Sequence, residues 1–360
     1  MISLTSKALS KGTAGNRPYH VYVYPNIDRQ LMGSNNPYIQ HLKEAIGRNA
    51  LDIDPAVSDK AFPDMLRKGF RSDMIILNWL ENLPLRRMGM LQTIIAMIYI
   101  RLLKMKGTKI VWIKHNKISH SKKRFAISRM IQKTLAKCAH HIVTHSQDVD
   151  LADTSKLLYL PHPSNITPEA VLAPGTDDEP VIDLLIWGSL LPYKGVLEFL
   201  QFVENDAELR RLKIHIVGKS SADYWELLQK HQGNNVTMNN TFVEEQQLVQ
   251  LFKRTRFILF TYNKKSVMSS GVLIDSLAAC RKIIAPDCGA FTDMARQHSF
   301  VHLYTDFSEI ASLCRNHYTD YALDYEEVCS FVARNSWYNM GQKIKELAVG
   351  DTAAVDKSIL

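Results

Sequence analysis

Short apolar runs alternate with longer amphipathic stretches along almost the whole chain. The runs at 73–79 (DMIILNW), 108–113 (TKIVWI) and 257–262 (FILFTY) carry few polar positions, the profile of strands buried on both faces. Together with 19–24, 50–53, 141–144 and 157–160 they predict a first series of strands, and with 181–187, 212–217, 236–242, 282–285 and 301–304 a second. Between them, helical periodicity predicts helices at 38–46, 84–106 and 121–138, then at 196–204, 222–231, 244–254, 272–279 and 307–318. Residues 324–347 read as one or two closing helices. Strands alternating with helices imply an α/β fold with doubly wound parallel sheets.

A length of 360 residues suits two such units. Residues 164–180 hold prolines and a small acidic cluster, marking a connection. The expected division is a disordered, Ser/Gly/Lys-rich start at 1–16, a first Rossmann-like domain at 17–165, a linker at 166–180 and a second Rossmann-like domain at 181–322. Helices at 323–348 would pack back across the hinge, leaving a tail at 349–360. An apolar content of 46% with 22% charged residues describes a soluble globular chain. No leading apolar run resembles a signal peptide. Five cysteines without a CxxC pair suit reduced thiols, with neither a disulfide framework nor a zinc site. The expected location is therefore cytoplasmic.

Charge changes this picture. The net charge is +8, yet residues 82–147 contain fourteen Lys or Arg and no Asp or Glu, leaving the rest of the chain at −6. Such a surface meets something anionic: nucleic acid, acidic lipid headgroups or a phosphorylated substrate. Interleaved aromatics and helix-turn-helix spacing are absent, which argues against nucleic acid. The apolar run at 90–100 is far shorter than the roughly 20 residues needed to span a bilayer. Arg86, Arg87, Arg101, Lys104 and Lys106 flank it, as in a helix lying in the headgroup layer; a core helix with basic ends is the alternative.

Chemistry concentrates at 256–287. A buried strand leads through a polar loop to Ser269-Ser270-Gly271 and a helix. Small residues at such a strand–helix junction let a diphosphate approach free backbone N–H groups. Asp275, one turn on, suits a ribose hydroxyl. An ordinary βαβ unit with a serine cap is the plainer alternative.

Several short motifs, in order, resemble those of GT-B glycosyltransferases, and among them bacterial exopolysaccharide enzymes such as the xanthan-type GDP-mannose β-mannosyltransferases; the retaining GT-4 family is more distant. Asn36-Pro37-Tyr38 resembles NPY, Asn78-Trp79-Leu80-Glu81 resembles HWPE, and His115-Asn116 with His120 resembles HNxxPHE. Residues 187–195 (WGSLLPYKG) resemble FGxIRPYKG, and Phe260-Thr261-Tyr262 resembles LPY. Ser270-Gly271-Val272-Leu273 with Ala285-Pro286, and Ser336-Trp337, complete the set. Three positions depart from the pattern. Val267 stands where GT-4 enzymes carry the first of two glutamates, Leu191 where an arginine precedes PYKG, and Asn78 where histidine is common.

The resemblance implies a metal-independent hexosyltransferase that takes a nucleotide-diphosphate sugar, GDP-mannose first and a UDP-sugar as alternative, with no separate cofactor. Ser189, Lys194, Tyr262, Ser270, Gly271 and Asp275 would hold the donor. Asn36, Tyr38, Trp79, Asn116 and His120 would hold the acceptor, a lipid-linked saccharide at the inner membrane face in exopolysaccharide, capsule or O-antigen synthesis. The base would be His115, which ends a buried strand, or its rival Glu81. His162, in a Pro-His-Pro turn, reads as structural, and His140, His141 and His145 lack metal spacing. The three departures keep open a non-catalytic paralogue serving as a membrane-bound scaffold.

Overall fold

A computed structural model describes residues 19–27, 37–54, 57, 60–115, 125–173, 180–264 and 268–349. In chain order the first half gives β1 (His20–Tyr24), α1 (Tyr38–Arg48), β2 (Asp52–Ile53), α2 (Ala61–Gly69), β3 (Met74–Asn78), α3 (Gly89–Lys106), β4 (Lys109–Lys114), α4 (Phe125–Cys138), β5 (His141–Thr144) and β6 (Leu157–Tyr159). The second half gives β7 (Ile182–Trp187), α5 (Val196–Val203), β8 (Ile214–Val217), α6 (Ala222–Leu228), β9 (Val236–Asn239), α7 (Glu245–Lys253), β10 (Thr255–Leu259) and α8 (Gly271–Asp275). It continues with β11 (Ile283–Pro286), α9 (Gly289–Gln297), β12 (Val301–Tyr304), α10 (Ile310–Asn316), α11 (Tyr325–Arg334) and α12 (Trp337–Val349).

Each half is a six-stranded parallel sheet. The first has the order β2-β1-β3-β4-β5-β6 and the second β12-β11-β10-β7-β8-β9. Successive side chains alternate between two buried faces. Tyr22, Tyr24 and Trp112 pack with α2, α3 and α4, whereas Val21, Val23, Val111 and Ile113 pack with α1 and α12. The order of strand addition reverses between β1 and β3 in one sheet and between β7 and β10 in the other. At such switch points the loops diverge and open a crevice beyond the strands' carboxyl ends.

Several elements differ from the sequence expectation. The helix predicted over 84–106 begins only at Gly89, after a 3-10 turn over Leu80–Leu85. A β-carbon on Gly89 would stand 2.1 Å from the Leu83 carbonyl, so glycine is what lets the turn pass into the helix. The helix predicted over 272–279 is a five-residue α8 that tightens into a 3-10 turn at Ser276–Ala279. The strand at 257–262 closes at Leu259, and Phe260, Thr261 and Tyr262 follow it as a buried connection. α2 and α9 carry no expectation; both are nine residues long, and Pro63 and Gly289 disguise their starts. The basic helix expected from 121 is described from Phe125.

The last helix leaves the second half and returns to the first. α12 lies on α1, where Gly341 approaches the Ala45 carbonyl so closely that a β-carbon would stand 2.3 Å from it. Trp337, Met340, Ile344 and Leu347 join the first sheet's core. Beside this crossing, Ser164 forms a parallel bridge with Ser336, and the Ser164 N–H donates to the Asn335 carbonyl at 2.8 Å. The two connections between the halves therefore run side by side. Because the obstacle at Gly341 is backbone, Gly341→Val should cost about 2 kcal/mol of stability. Urea denaturation checks this, and an unchanged midpoint would mean that α12 shifts freely on α1.

Candidate functional site

The crevice of the second half is built by a turn that the sequence specifies closely. After β7, Gly188 turns with φ 93° and Pro192 opens a 3-10 turn to Lys194. Gly195, at φ 69°, passes so near Thr261 that a β-carbon would stand 2.2 Å from its carbonyl. The Thr261 hydroxyl donates to the Lys194 carbonyl at 2.6 Å, and the Asn263 N–H donates to the Tyr193 carbonyl at 3.1 Å. This stitching holds the Pro-Tyr-Lys-Gly turn against the segment after β10, on either side of the switch point.

Lys194 is thereby buried, with 6% of its surface exposed, and its ammonium lies 5.4 Å from the centre of the Tyr262 ring. The same Nζ is 3.7 Å from where a β-carbon on Gly188 would stand. Burial lowers its pKa. Tyr262 and Ser270 share a hydroxyl hydrogen bond of 3.1 Å. Ser189 is exposed at the mouth, and Ser270 and Gly271 are half-buried where α8 begins. Asp275, one turn further, is half-buried, and loss of water alone pushes its pKa from 3.8 up to about 7. The Trp187 indole and Ser276 hydroxyl bond at 2.9 Å and fix α8 against β7.

Facing this, the first half presents an aromatic and imidazole cluster around Tyr38. Its ring meets the edges or faces of His115 at 4.7 Å, Trp337 at 5.0 Å, His162 at 5.5 Å, His145 at 5.6 Å and Trp79 at 5.8 Å. Trp79 stacks on His115 at 4.2 Å and holds a left-handed backbone at φ 50°. Bulky residues seldom adopt that conformation, which costs of order 1–3 kcal/mol.

Hydrogen bonds fix the imidazole protons. The Asn78 Nδ2 donates to the Tyr24 carbonyl at 2.9 Å, so Asn78 Oδ1 must accept from His115 Nε2–H at 2.9 Å. His145 Nδ1–H donates to the Leu160 carbonyl at 2.8 Å, leaving its Nε2 to accept from the Tyr38 hydroxyl at 2.7 Å. Burial, reinforced by the neighbouring imidazoles, lowers the pKa of His115 well below the usual histidine range and that of His145 to about 3. Both rings are neutral near pH 7.

The expected residues separate into groups. Lys194, Tyr262, Ser270, Gly271 and Asp275 share the second half's crevice, while Tyr38, Trp79 and His115 share the first half's cluster. Tyr38 is only 2% exposed and its hydroxyl is committed to His145, so it supports the site from behind. Glu81, the rival base, is wholly buried in the turn after Trp79. Burial raises its pKa, only partly countered by its own backbone, Lys114 and Trp112. Asn36, Asn116 and His120, and with them Val267, lie outside the described residues. His145, His162 and Trp337 join the cluster from distant positions. Their local spacing carries no signal, since only the fold brings 38, 79, 115, 145, 162 and 337 together.

Among the described residues, no three His, Cys, Asp or Glu side chains converge as a metal site. No protein-family model matches the sequence, and no curated protein matches it. Solved structures do. Anabaena HepE, in complex with UDP, aligns over 91% of this chain and 98% of its own with a TM-score of 0.63 at 11% identity. AviGT4, a glycosyltransferase of avilamycin A biosynthesis, aligns over 92% and 97% with a TM-score of 0.54 at 13% identity. The E. coli trehalose-6-phosphate protein bound to UDP-2-fluoro glucose aligns over 90% and 85%, with a TM-score of 0.55 at 10% identity. The fold is GT-B. The GT-B architecture sets two Rossmann-like halves across a crevice, here the one between Lys194 and the Tyr38 cluster.

Asp275 supplies a test of this crevice. An unfolded aspartate ionises near 3.8, but the folded chain holds the Asp275 proton up to about 7. The folded state thus binds more protons between those values, and stability falls as pH rises through that window. Asp275→Asn removes the penalty. It should leave stability unchanged below pH 4 and raise it on the order of 2 kcal/mol at pH 8, partial exposure screening the rest. Denaturation at both pH values checks this.

Proposed function

We propose that this chain is a glycosyltransferase that moves a sugar from a nucleotide-diphosphate sugar to a hydroxyl of a saccharide acceptor. The observation that carries the reading is a pair of unsatisfied groups of opposite sign in one crevice. Lys194 is a buried cation and Asp275 a half-buried carboxylate, and neither forms an ion pair or side-chain hydrogen bond. Burying a charge without a partner is costly, so such groups persist where a ligand completes them. A nucleotide sugar offers the complement: phosphates for Lys194 and ribose hydroxyls for Asp275.

In this reading, the Ser270 and Gly271 amides and Lys194 stabilise charge developing on the departing diphosphate. α8 is short, so its contribution is hydrogen bonding by free N–H groups more than a helix dipole. His115 opposite, neutral and with Nδ1 bare, can receive a hydroxyl proton without first losing one. HepE and the trehalose-6-phosphate protein, solved with UDP or a UDP-sugar, support a uridine nucleotide. The motif resemblance supports GDP-mannose.

The acceptor side rests on charge and shape. No described helix is long and apolar enough to cross a membrane. Yet α3 turns Leu91, Ile94, Ile98 and Leu102, each about half exposed, toward solvent, beside exposed Arg101 and Lys104. Within the stretch at 82–147 that lacks any acid, this face suits an anionic membrane surface and a lipid-linked acceptor.

Calorimetry with UDP and GDP, with and without EDTA, tests the donor site. One nucleotide should bind unaffected by EDTA, and Lys194→Ala should weaken it at least about tenfold, the loss of a charge-assisted contact. A scaffold without catalysis would bind neither. Sedimentation with phosphatidylglycerol vesicles tests the membrane face. Ile94→Glu with Ile98→Glu should abolish co-sedimentation while leaving nucleotide affinity intact; binding that persists would remove α3 from the interface.

A further inference from the structure

At the His162 ring the two halves touch. The ring packs against Gly271: a β-carbon there would stand 3.3 Å from Cε1 and 3.6 Å from Nε2. On its other sides lie Tyr38, His145 at 5.1 Å and Trp337 at 6.2 Å. Its Nδ1 is 2.9 Å from the Pro163 carbonyl, which can only accept, so Nδ1 carries the proton. Nε2 is then a bare lone pair, and no hydrogen bond reaches it. Burial lowers the pKa to about 4, so the ring stays neutral and the lone pair stays available near pH 7.

The cluster's other imidazoles are placed differently. His145 uses both nitrogens, one on Leu160 and one on Tyr38. His115 keeps a bare Nδ1 but stacks on Trp79 within the first half. Only His162 sets an unsatisfied acceptor beside the residue where α8 begins. If Lys194 and the Ser270-Gly271 amides hold the diphosphate, a sugar that continues from Gly271 toward the first half lies beside His162.

We infer that His162 is a substrate-contacting residue whose bare Nε2 accepts a hydrogen bond from a hydroxyl of the donor's sugar, so that it reads the sugar and not the nucleotide. The inference rests on the nucleotide-sugar reading of the crevice. It replaces a purely structural role for the Pro-His-Pro turn. The turn's two prolines hold the backbone on either side of the ring, which fixes the direction of the lone pair.

The test compares UDP-glucose with UDP, and GDP-mannose with GDP, by calorimetry on the whole chain. His162→Phe keeps an aromatic ring against Tyr38 and Trp337 but has no acceptor. It should weaken the sugar nucleotide that wild type binds roughly five- to tenfold, the loss of one hydrogen bond, with the matching free diphosphate unchanged. His162→Gln returns an acceptor at similar reach and should recover part of the loss. Equal sugar-nucleotide affinity in wild type and His162→Phe overturns the inference. So does a parallel loss for the free diphosphate, which marks packing. Wild type that binds a free diphosphate but gains nothing from its sugar overturns it while leaving the donor site standing; wild type that binds neither overturns both. A measurement without variants guards against misfolding. Nitrogen-15 spectra of wild-type histidines should show His162 protonated at Nδ1, with its Nε2 resonance moved by the sugar nucleotide and not by the diphosphate. A proton on Nε2 in the free protein would overturn the inference.

Discussion

Gly341 against the Ala45 carbonyl is the contact on which the arrangement turns. Two parallel sheets joined by a linker have no inherent reason to face each other. Here the chain's last helix closes the loop, because only a residue without a side chain lets α12 settle onto α1. That seating carries Trp337 into the first sheet's core, where its ring completes the cluster around Tyr38. The crevice between the switch points is therefore a consequence of helix packing some distance from any chemistry.

The two walls of the crevice solve different electrostatic problems. The second half buries an ammonium, Lys194, and a carboxyl, Asp275, without an ion pair, and burial disfavours the charged form of each. The cluster around Tyr38 in the first half carries neutral rings instead. His115, His145 and His162 are neutral, and their protons are assigned by carbonyls and by Asn78. That contrast suits the proposed transfer, in which the leaving group carries the charge.

Much of the fold was legible because parallel strands are buried on both faces and write themselves as dense apolar runs. Met74–Asn78 and Lys109–Lys114 lie where such runs stand. α2 and α9 were not legible: each is short, and Pro63 and Gly289 obscure the periodicity. In the site, the Pro-Tyr-Lys-Gly turn was readable because its residues act locally, proline opening the turn and glycine clearing Thr261. The depth of Glu81 was not legible, because position at a strand's end says nothing of burial. His145 and His162 were invisible as site residues because their partners lie over a hundred positions away, at Tyr38 and Gly271.

The bridge between Ser164 and Ser336 has a mechanical consequence. Two connections lying side by side act as a single pivot, and rotation about a pivot displaces each atom in proportion to its distance from it. His162 is two residues from that pivot and Trp337 is one. Any rotation about that bridge would displace both less than residues at the outer rim. A sugar lodged near the axis would meet the same imidazole whether the jaws stand open or shut.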